Sequence, residues 1–122
     1  MKKKVLIVDD DPRNIFALRL TLKARNYEID TAATGQEAID ILKNDDDINV
    51  ILMDMMMPDM DGYQAMRIIR ETPALQDKTI IAVTAQAMTQ DREKCLEAGA
   101  DDYITKPINV DQLLTAIEKL YK

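Results

Sequence analysis

Apolar positions along the chain follow two rhythms. Val5-Leu6-Ile7-Val8, Asn49-Val50-Ile51-Leu52-Met53 and Ile80-Ile81-Ala82-Val83 are continuous apolar runs. Such runs are expected of parallel strands covered on both faces. Glu28-Ile29-Asp30-Thr31-Ala32 and Asp102-Tyr103-Ile104-Thr105 are shorter and more mixed, which suits strands nearer a sheet edge. The segments between them carry a helical spacing. Ile15, Leu18 and Leu22 share a face after Asp11-Pro12, and Tyr63, Met66 and Ile69 do the same from about Gly62. Thr34-Gly35-Gln36-Glu37 has the T-x-x-E spacing of a capping box and opens a helix through Ile41 and Leu42. A fourth helix runs from about Thr89 to Ala98, with Gly99 as its stop, and Leu113, Leu114, Ile117 and Leu120 mark a last one after Asn109.

Strands alternating with helices in (βα)₅ order imply an α/β fold, a doubly wound parallel sheet with right-handed crossovers. The oiliest strands, the first, third and fourth, belong at the centre. This favours the flavodoxin-like strand order 2-1-3-4-5, with a switch point between strands one and three. Ligands bind such sheets beyond the carboxyl ends of the strands, so the residues there matter most. Strand one ends in Asp9-Asp10-Asp11, strand three in Asp54, strand four in Thr84, and strand five runs into Lys106-Pro107. Asp11, placed before a proline at a helix start, reads as an N-cap followed by an N1 proline.

The remaining carboxylates pose an electrostatic problem. Two of them ~4 Å apart repel by about 4 kcal/mol at an effective dielectric of 20. Shared protons or a cation between them would relieve this. Oxygen ligands without His or Cys point to a hard ion: Mg²⁺, Mn²⁺ or Ca²⁺. An EF-hand does not fit, because Gly62 at its sixth position would put Met57 at the first, where a carboxylate is required. An open Mg²⁺ site that keeps waters and takes a phosphoryl oxygen fits better.

Composition narrows the function further. The chain has 122 residues, 31% charged and 47% hydrophobic, and is expected to form one globular domain over 1–122. A net charge of −6 argues against sequence-independent nucleic-acid binding. No apolar stretch approaches the ~20 residues of a membrane span. The opening Met1-Lys2-Lys3-Lys4 resembles a signal-peptide start, but Asp9 to Asp11 cut the next apolar run short, so no targeting segment is expected. The single Cys95 excludes an internal disulfide and suits a reducing cytoplasm. Histidine is absent, which excludes Ser-His-Asp and Cys-His catalysis and His-ligated metals. Any phosphohistidine chemistry must use a histidine of another protein.

Taken in order, Val8-Asp9-Asp10, Asp54 with Met57-Pro58 and Asp61-Gly62, Thr84-Ala85, Ala98-Gly99-Ala100-Asp101 and Lys106-Pro107 resemble the receiver domains of two-component response regulators, typified by the chemotaxis regulator. The resemblance covers essentially the whole chain. It implies that Asp54 accepts a phosphoryl group from a phosphohistidine on a histidine kinase or histidine phosphotransfer protein. It further implies that Asp10 binds Mg²⁺ directly and Asp9 mostly through water, with Asp54 and the Met56 backbone carbonyl completing the protein ligands. Mn²⁺ could substitute. Lys106 would pair with Asp54 at rest and with a phosphoryl oxygen afterwards, aimed by a cis peptide before Pro107. Thr84 would swing its hydroxyl to the phosphoryl group and Tyr103 would turn inward. Met56 and Gln86 hold the positions that tune phosphoryl lifetime in the family, and an apolar Met56 suggests slow hydrolysis.

The resemblance also assigns an output role to the surface from helix four through strand five to helix five. The charged, weakly periodic segment from Met88 to Ala98 lies within it, although such a pattern also describes a plain solvated helix. The methionines around Asp54 read as packing, with Met57-Pro58 stiffening the loop and Asp61-Gly62 starting the next helix. Asn44-Asp45-Asp46-Asp47 reads as a solvated loop. A flavodoxin-like electron carrier shares the fold class, but three aspartates after strand one would repel a flavin phosphate. A phosphatase with an aspartyl intermediate would be expected to carry a cap domain, and none is seen in the sequence. A degenerate receiver acting as an interaction scaffold is the alternative, and the chain suits either a stand-alone regulator or a receiver excised from a longer protein.

Overall fold

A computed structural model describes residues 3–56, 62–84 and 89–120. Five strands, β1 (Lys4–Val8), β2 (Glu28–Ala32), β3 (Ile48–Asp54), β4 (Thr79–Thr84) and β5 (Asp102–Thr105), alternate with five helices. These are α1 (Pro12–Lys23), α2 (Gly35–Asn44), α3 (Gly62–Glu71), α4 (Thr89–Glu97) and α5 (Val110–Leu120). All strand pairs are parallel, and the sheet order is β2-β1-β3-β4-β5, as the apolar pattern requires. The mixed strands lie at the edges. β3 and β4 each run one residue further than their apolar runs, taking in Asp54 and Thr84.

The apolar runs are continuous because alternate residues serve two different cores. Leu6, Val8, Ile51, Met53, Ile80 and Ala82 point to one face, packing with Ile39 and Leu42 of α2, Met66 and Ile69 of α3, and Cys95 of α4. Val5, Ile7, Val50, Leu52, Ile81 and Val83 point to the other, packing with Leu18 and Leu22 of α1 and Leu113 and Ile117 of α5. Truncating one of the Leu, Ile or Met residues among these to alanine costs about 2–5 kcal/mol.

Local chemistry sets the helix ends. The Asp11 side chain accepts from Arg13 N at 2.9 Å and Pro12 opens α1, as expected of that pair. Thr34 caps α2 by accepting from Glu37 N at 3.1 Å. The return arm of the capping box differs from the simple pattern, since Glu37 accepts from Ala33 N at 3.4 Å, one residue before the cap. The acidic loop also differs from its solvated reading. Asp45 pairs with Lys4 of β1, which also lies 3.3 Å from Asp30. A loop charge thereby becomes a tie from the segment before β3 to the amino end of β1, which also reaches Asp30 within β2.

The chain leaves β1 toward α1 on one face and leaves β3 toward α3 on the other. Adjacent strands whose exits diverge open a crevice at their carboxyl edge. The site lies there.

Candidate functional site

Strand register decides which side chains meet. Val8 pairs with Met53, so Asp9 and Asp54 stand at the same height on neighbouring strands. Asp54 pairs with Val83, and Thr84 follows one step beyond, level with Thr105. Lys106 N donates to Thr84 O at 2.8 Å, which carries the lysine to the same rim. Asp9, Asp10 and Asp54 each offer a carboxylate oxygen within 4.8 Å of the others. Lys106 Nζ lies 3.6 Å from Asp54 Oδ1 and 3.8 Å from Asp9 Oδ2. The Lys106–Pro107 peptide is cis, as the resemblance implies.

The carboxylates are held rather than merely clustered. Asp9 Oδ1 accepts from Asp11 N at 2.9 Å, and its own backbone N donates to Ala32 O at 3.0 Å. Asp54 Oδ1 accepts from Met56 N at 3.0 Å. Asp9 and Asp54 are only 4% and 3% exposed, whereas Asp10 faces solvent. Burial pushes the Asp54 carboxyl above its usual range. The Met56 N–H opposes this, the charge of Asp9 adds to it, Lys106 opposes it and Asp10 adds again. Three acids against one lysine form an oxygen-only donor set short of positive charge, and this fits a hard divalent cation.

Gly62 explains how Asp54 is kept in place. A Cβ there would lie 2.6 Å from Met55 Sδ and 2.7 Å from both Asp54 O and Met55 Cα. Only glycine lets α3 begin this close to the end of β3. Met53, Met55 and Met66 are buried and serve as packing, whereas Met56 is 54% exposed beside the site. Thr84 is buried at its strand end, and Tyr103 is half-buried against the core beneath α2, α3 and α4. Met57, Pro58, Asp61, Ala85, Gln86 and Met88 lie outside the described residues.

Sequence reasoning missed a second constellation, at the opposite edge of the sheet. Arg70 of α3 donates to Gly99 O from Nε at 2.9 Å and from Nη2 at 2.6 Å. Its Nη1 donates to Gln76 O and Lys78 O, and its Nη2 reaches Asp101 Oδ2 at 3.0 Å. The Gly99-Ala100-Asp101 motif was visible in the sequence, but nothing local pointed to an arginine some 30 residues away.

Comparison with known proteins agrees with this geometry. The family model "Response regulator receiver domain" matches residues 5–118. Hybrid signal transduction histidine kinase L of Dictyostelium discoideum is 39% identical over 98% of this chain, which spans only 7% of that protein. Response regulator MprA of Mycolicibacterium vanbaalenii is 34% identical over the whole chain, which spans 52% of it. Among solved structures, chemotaxis protein CheY4 of Vibrio cholerae superposes with a TM-score of 0.91 at 28% identity, covering 98% of this chain and 99% of that one. The receiver domain of sensor histidine kinase PA1611 of Pseudomonas aeruginosa, with a magnesium ion coordinated in its active-site cleft, gives 0.88 at 34% identity, covering 98% and 97%. The Saccharomyces cerevisiae receiver domain of Ssk1, solved with the histidine phosphotransfer protein Ypd1, gives 0.88 at 31%, covering 97% and 88%. With its strand order, its acidic crevice and a match over nearly its full length, this chain belongs to the response regulator receiver domains of two-component phosphorelay signalling.

Proposed function

We propose that Asp54 accepts a phosphoryl group from a phosphohistidine of a histidine kinase or histidine phosphotransfer protein, in an Mg²⁺-dependent step. The modified state then alters the α4–β5–α5 face to control binding of an output partner. The supporting observation is the convergence of Asp9, Asp10 and Asp54 oxygens within 4.8 Å of one another, with Lys106 Nζ 3.6 Å from Asp54. An Asp54 carboxylate oxygen attacks phosphorus, a P–O bond forms and the P–N bond breaks. The electron pair leaves on the imidazole, which takes up a proton from solvent. Asp9, Asp10, Asp54 and the Met56 carbonyl would hold the Mg²⁺, or Mn²⁺ in its place. When bound, the ion neutralises charge on the phosphoryl oxygens.

Lys106 passes from Asp54 to a phosphoryl oxygen, Thr84 donates its hydroxyl to another, and Tyr103 follows inward. Moving a resting population from 1:99 to 99:1 needs about 5.5 kcal/mol of differential interaction, which one new ion pair, one hydrogen bond and the metal contacts can supply. Met56 and Gln86 set the lifetime of the phosphoryl group. The 122 residues act as one receiver domain in the cytoplasm, either alone or within a longer kinase or regulator, and no helix among the described residues is long and apolar enough to cross a membrane.

The donor needs a seat beside Asp54. A groove of about 230 Å³ lined by Asn14, Ala17, Thr21, Lys106, Pro107 and Val110 opens next to the site. α1 carries Phe16 and Leu20 outward beyond it, 64% and 56% exposed. We assign this surface to the donor helix that presents the phosphohistidine, because the groove is continuous with Lys106. Leu20→Glu should slow transfer from a protein donor roughly tenfold while leaving phosphorylation by a small-molecule donor unchanged. Equal effects on both donors would remove the assignment.

The deciding experiment is intact-mass spectrometry after incubation with a small-molecule phosphodonor, with and without Mg²⁺, beside Asp54→Ala. One phosphoryl group added only with Mg²⁺, and absent in the variant, is the expected result. No addition under conditions that modify another receiver would reject the reading.

A further inference from the structure

We propose that Arg70 is a positioning residue that anchors the carboxyl end of α4, so that α4 is hinged there and opens from its amino end. The inference deepens the proposed function, since it rests on the α4–β5–α5 face as the responsive surface. Two independent observations carry it.

The first is the uneven anchoring of α4. Thr89-Gln90-Asp91-Arg92-Glu93-Lys94 contains no apolar residue, and Arg92, Glu93 and Lys94 face solvent. Among the described side chains, apolar anchoring begins at Cys95, which is fully buried, and continues at Ala98 and Ala100. α3 supports this same end. Tyr63 OH lies 3.5 Å from Cys95 Sγ, and Lys94 Nζ sits over the Tyr63 ring at 4.6 Å.

The second is the guanidinium. Arginine has five N–H donors, and all five of Arg70's are engaged: two on Gly99 O, one on Gln76 O, one on Lys78 O and one on Asp101 Oδ2. Asp101 Oδ2 also accepts from Ile80 N at 2.9 Å, and Asp101 N donates to Ile80 O at 2.7 Å. One side chain therefore joins the end of α3, the loop into β4 and the turn from α4 into β5. Gly99, at φ +121°, is the turn itself, and Arg70 Cγ would lie 2.9 Å from a Cβ placed on it. The guanidinium lies over the turn and holds its carbonyl. A helix gripped in this way at one end, and carrying only polar residues at the other, moves by swinging about the gripped end.

Native-state amide hydrogen exchange tests this on the whole chain, unmodified and phosphorylated, with stoichiometry read by intact mass. In the unmodified protein, protection along α4 should rise from residue 92 toward Ala100. Arg70→Leu should speed exchange at Ala98 to Asp101 roughly tenfold beyond any change at β1 and β3, which report global stability. Arg70→Lys keeps the charge but not the five-bond fork, and should fail to restore protection. Phosphorylation should alter residues 89–94 and leave Ala98 to Asp101 of the parent protein unchanged. The anchor is rejected if the parent shows no gradient, if Arg70→Leu slackens α4 no more than β3, or if phosphorylation loosens both ends alike. If Asp54 takes up no phosphoryl group, the functional reading fails on its own, and the Arg70 comparison in unmodified protein still decides the anchor.

Discussion

Asp54 ends β3 almost out of contact with solvent and with two other carboxylates as neighbours, so ionising it costs more here than in water. Its folded pKa is raised, so the folded state holds this proton at a pH where the unfolded chain, near 3.8, has lost it. The cost of the charge is therefore full above the folded pKa and disappears below 3.8. Asp54→Asn should raise Tm at pH 7 without divalent cations, by about 4 °C for each kcal/mol relieved. The advantage should shrink as pH falls toward 3.8. Thermal melts across pH measure it, and an Asn variant less stable at pH 7 would contradict the account. Mg²⁺ should raise Tm of the parent protein more than that of the variant. Met56 makes a second residue-scale prediction. Its exposed thioether offers hydrolytic water no partner, so Met56→Asn or Met56→Glu should change the decay rate of phospho-Asp54 severalfold. An unchanged decay rate would end that idea.

At the scale of elements, the site depends on where helices begin. α3 starts against the backbone of Asp54 and Met55, and two of the three nearest atoms to a Gly62 Cβ are main chain. Main chain cannot rotate aside as a flexible side chain can. Gly62→Ala should therefore cost about 1–3 kcal/mol in denaturant melts and also slow phosphorylation, because Asp54 is displaced with the loop. Helix caps give a milder control. Thr34→Ala removes the acceptor for Glu37 N and should cost about 1 kcal/mol, leaving phosphorylation unchanged because β1 separates β2, which leads into α2, from the β3 end that carries Asp54. Both caps were legible because capping chemistry acts over two or three residues. The reciprocal arm at Ala33 was not, because its geometry depends on how the chain enters the helix.

For the molecule as a whole, charge pairs tie ends that the core alone leaves open. Lys4 and Asp45 are 41 residues apart and only about a fifth exposed. The lysine, first, and then the Asp47 N–H hold the Asp45 carboxyl below its usual value, while Asp45 raises Lys4 above 10.5. A depressed acid contributes stability above its unfolded pKa and loses it as pH falls through the folded one. A raised lysine contributes below 10.5 and loses it as pH climbs through its own folded value. A Lys4→Met, Asp45→Asn double-mutant cycle should give about 0.5–1 kcal/mol at neutral pH, falling to nothing well below pH 3.8. A coupling that persists in strong acid would show that the pair acts through packing.

The order of strands and helices, the central place of the three oily runs and the rim of Asp9, Asp10, Asp54, Thr84 and Lys106 were all determined by the sequence alone. Each rests on a local rule: period-two burial on two faces, capping, or the end of an apolar run. Which rim residues stand level, how near Lys106 comes to Asp54, why Gly62 must be glycine, and that Arg70 and Asp45 are ties rather than solvated charges were decided only by tertiary structure. These depend on the register of parallel strands and, for the Arg70 and Asp45 ties, on contacts across 29 to 41 residues. Such contacts follow no period along the chain, and they exist only once the sheet and its two helical layers are packed.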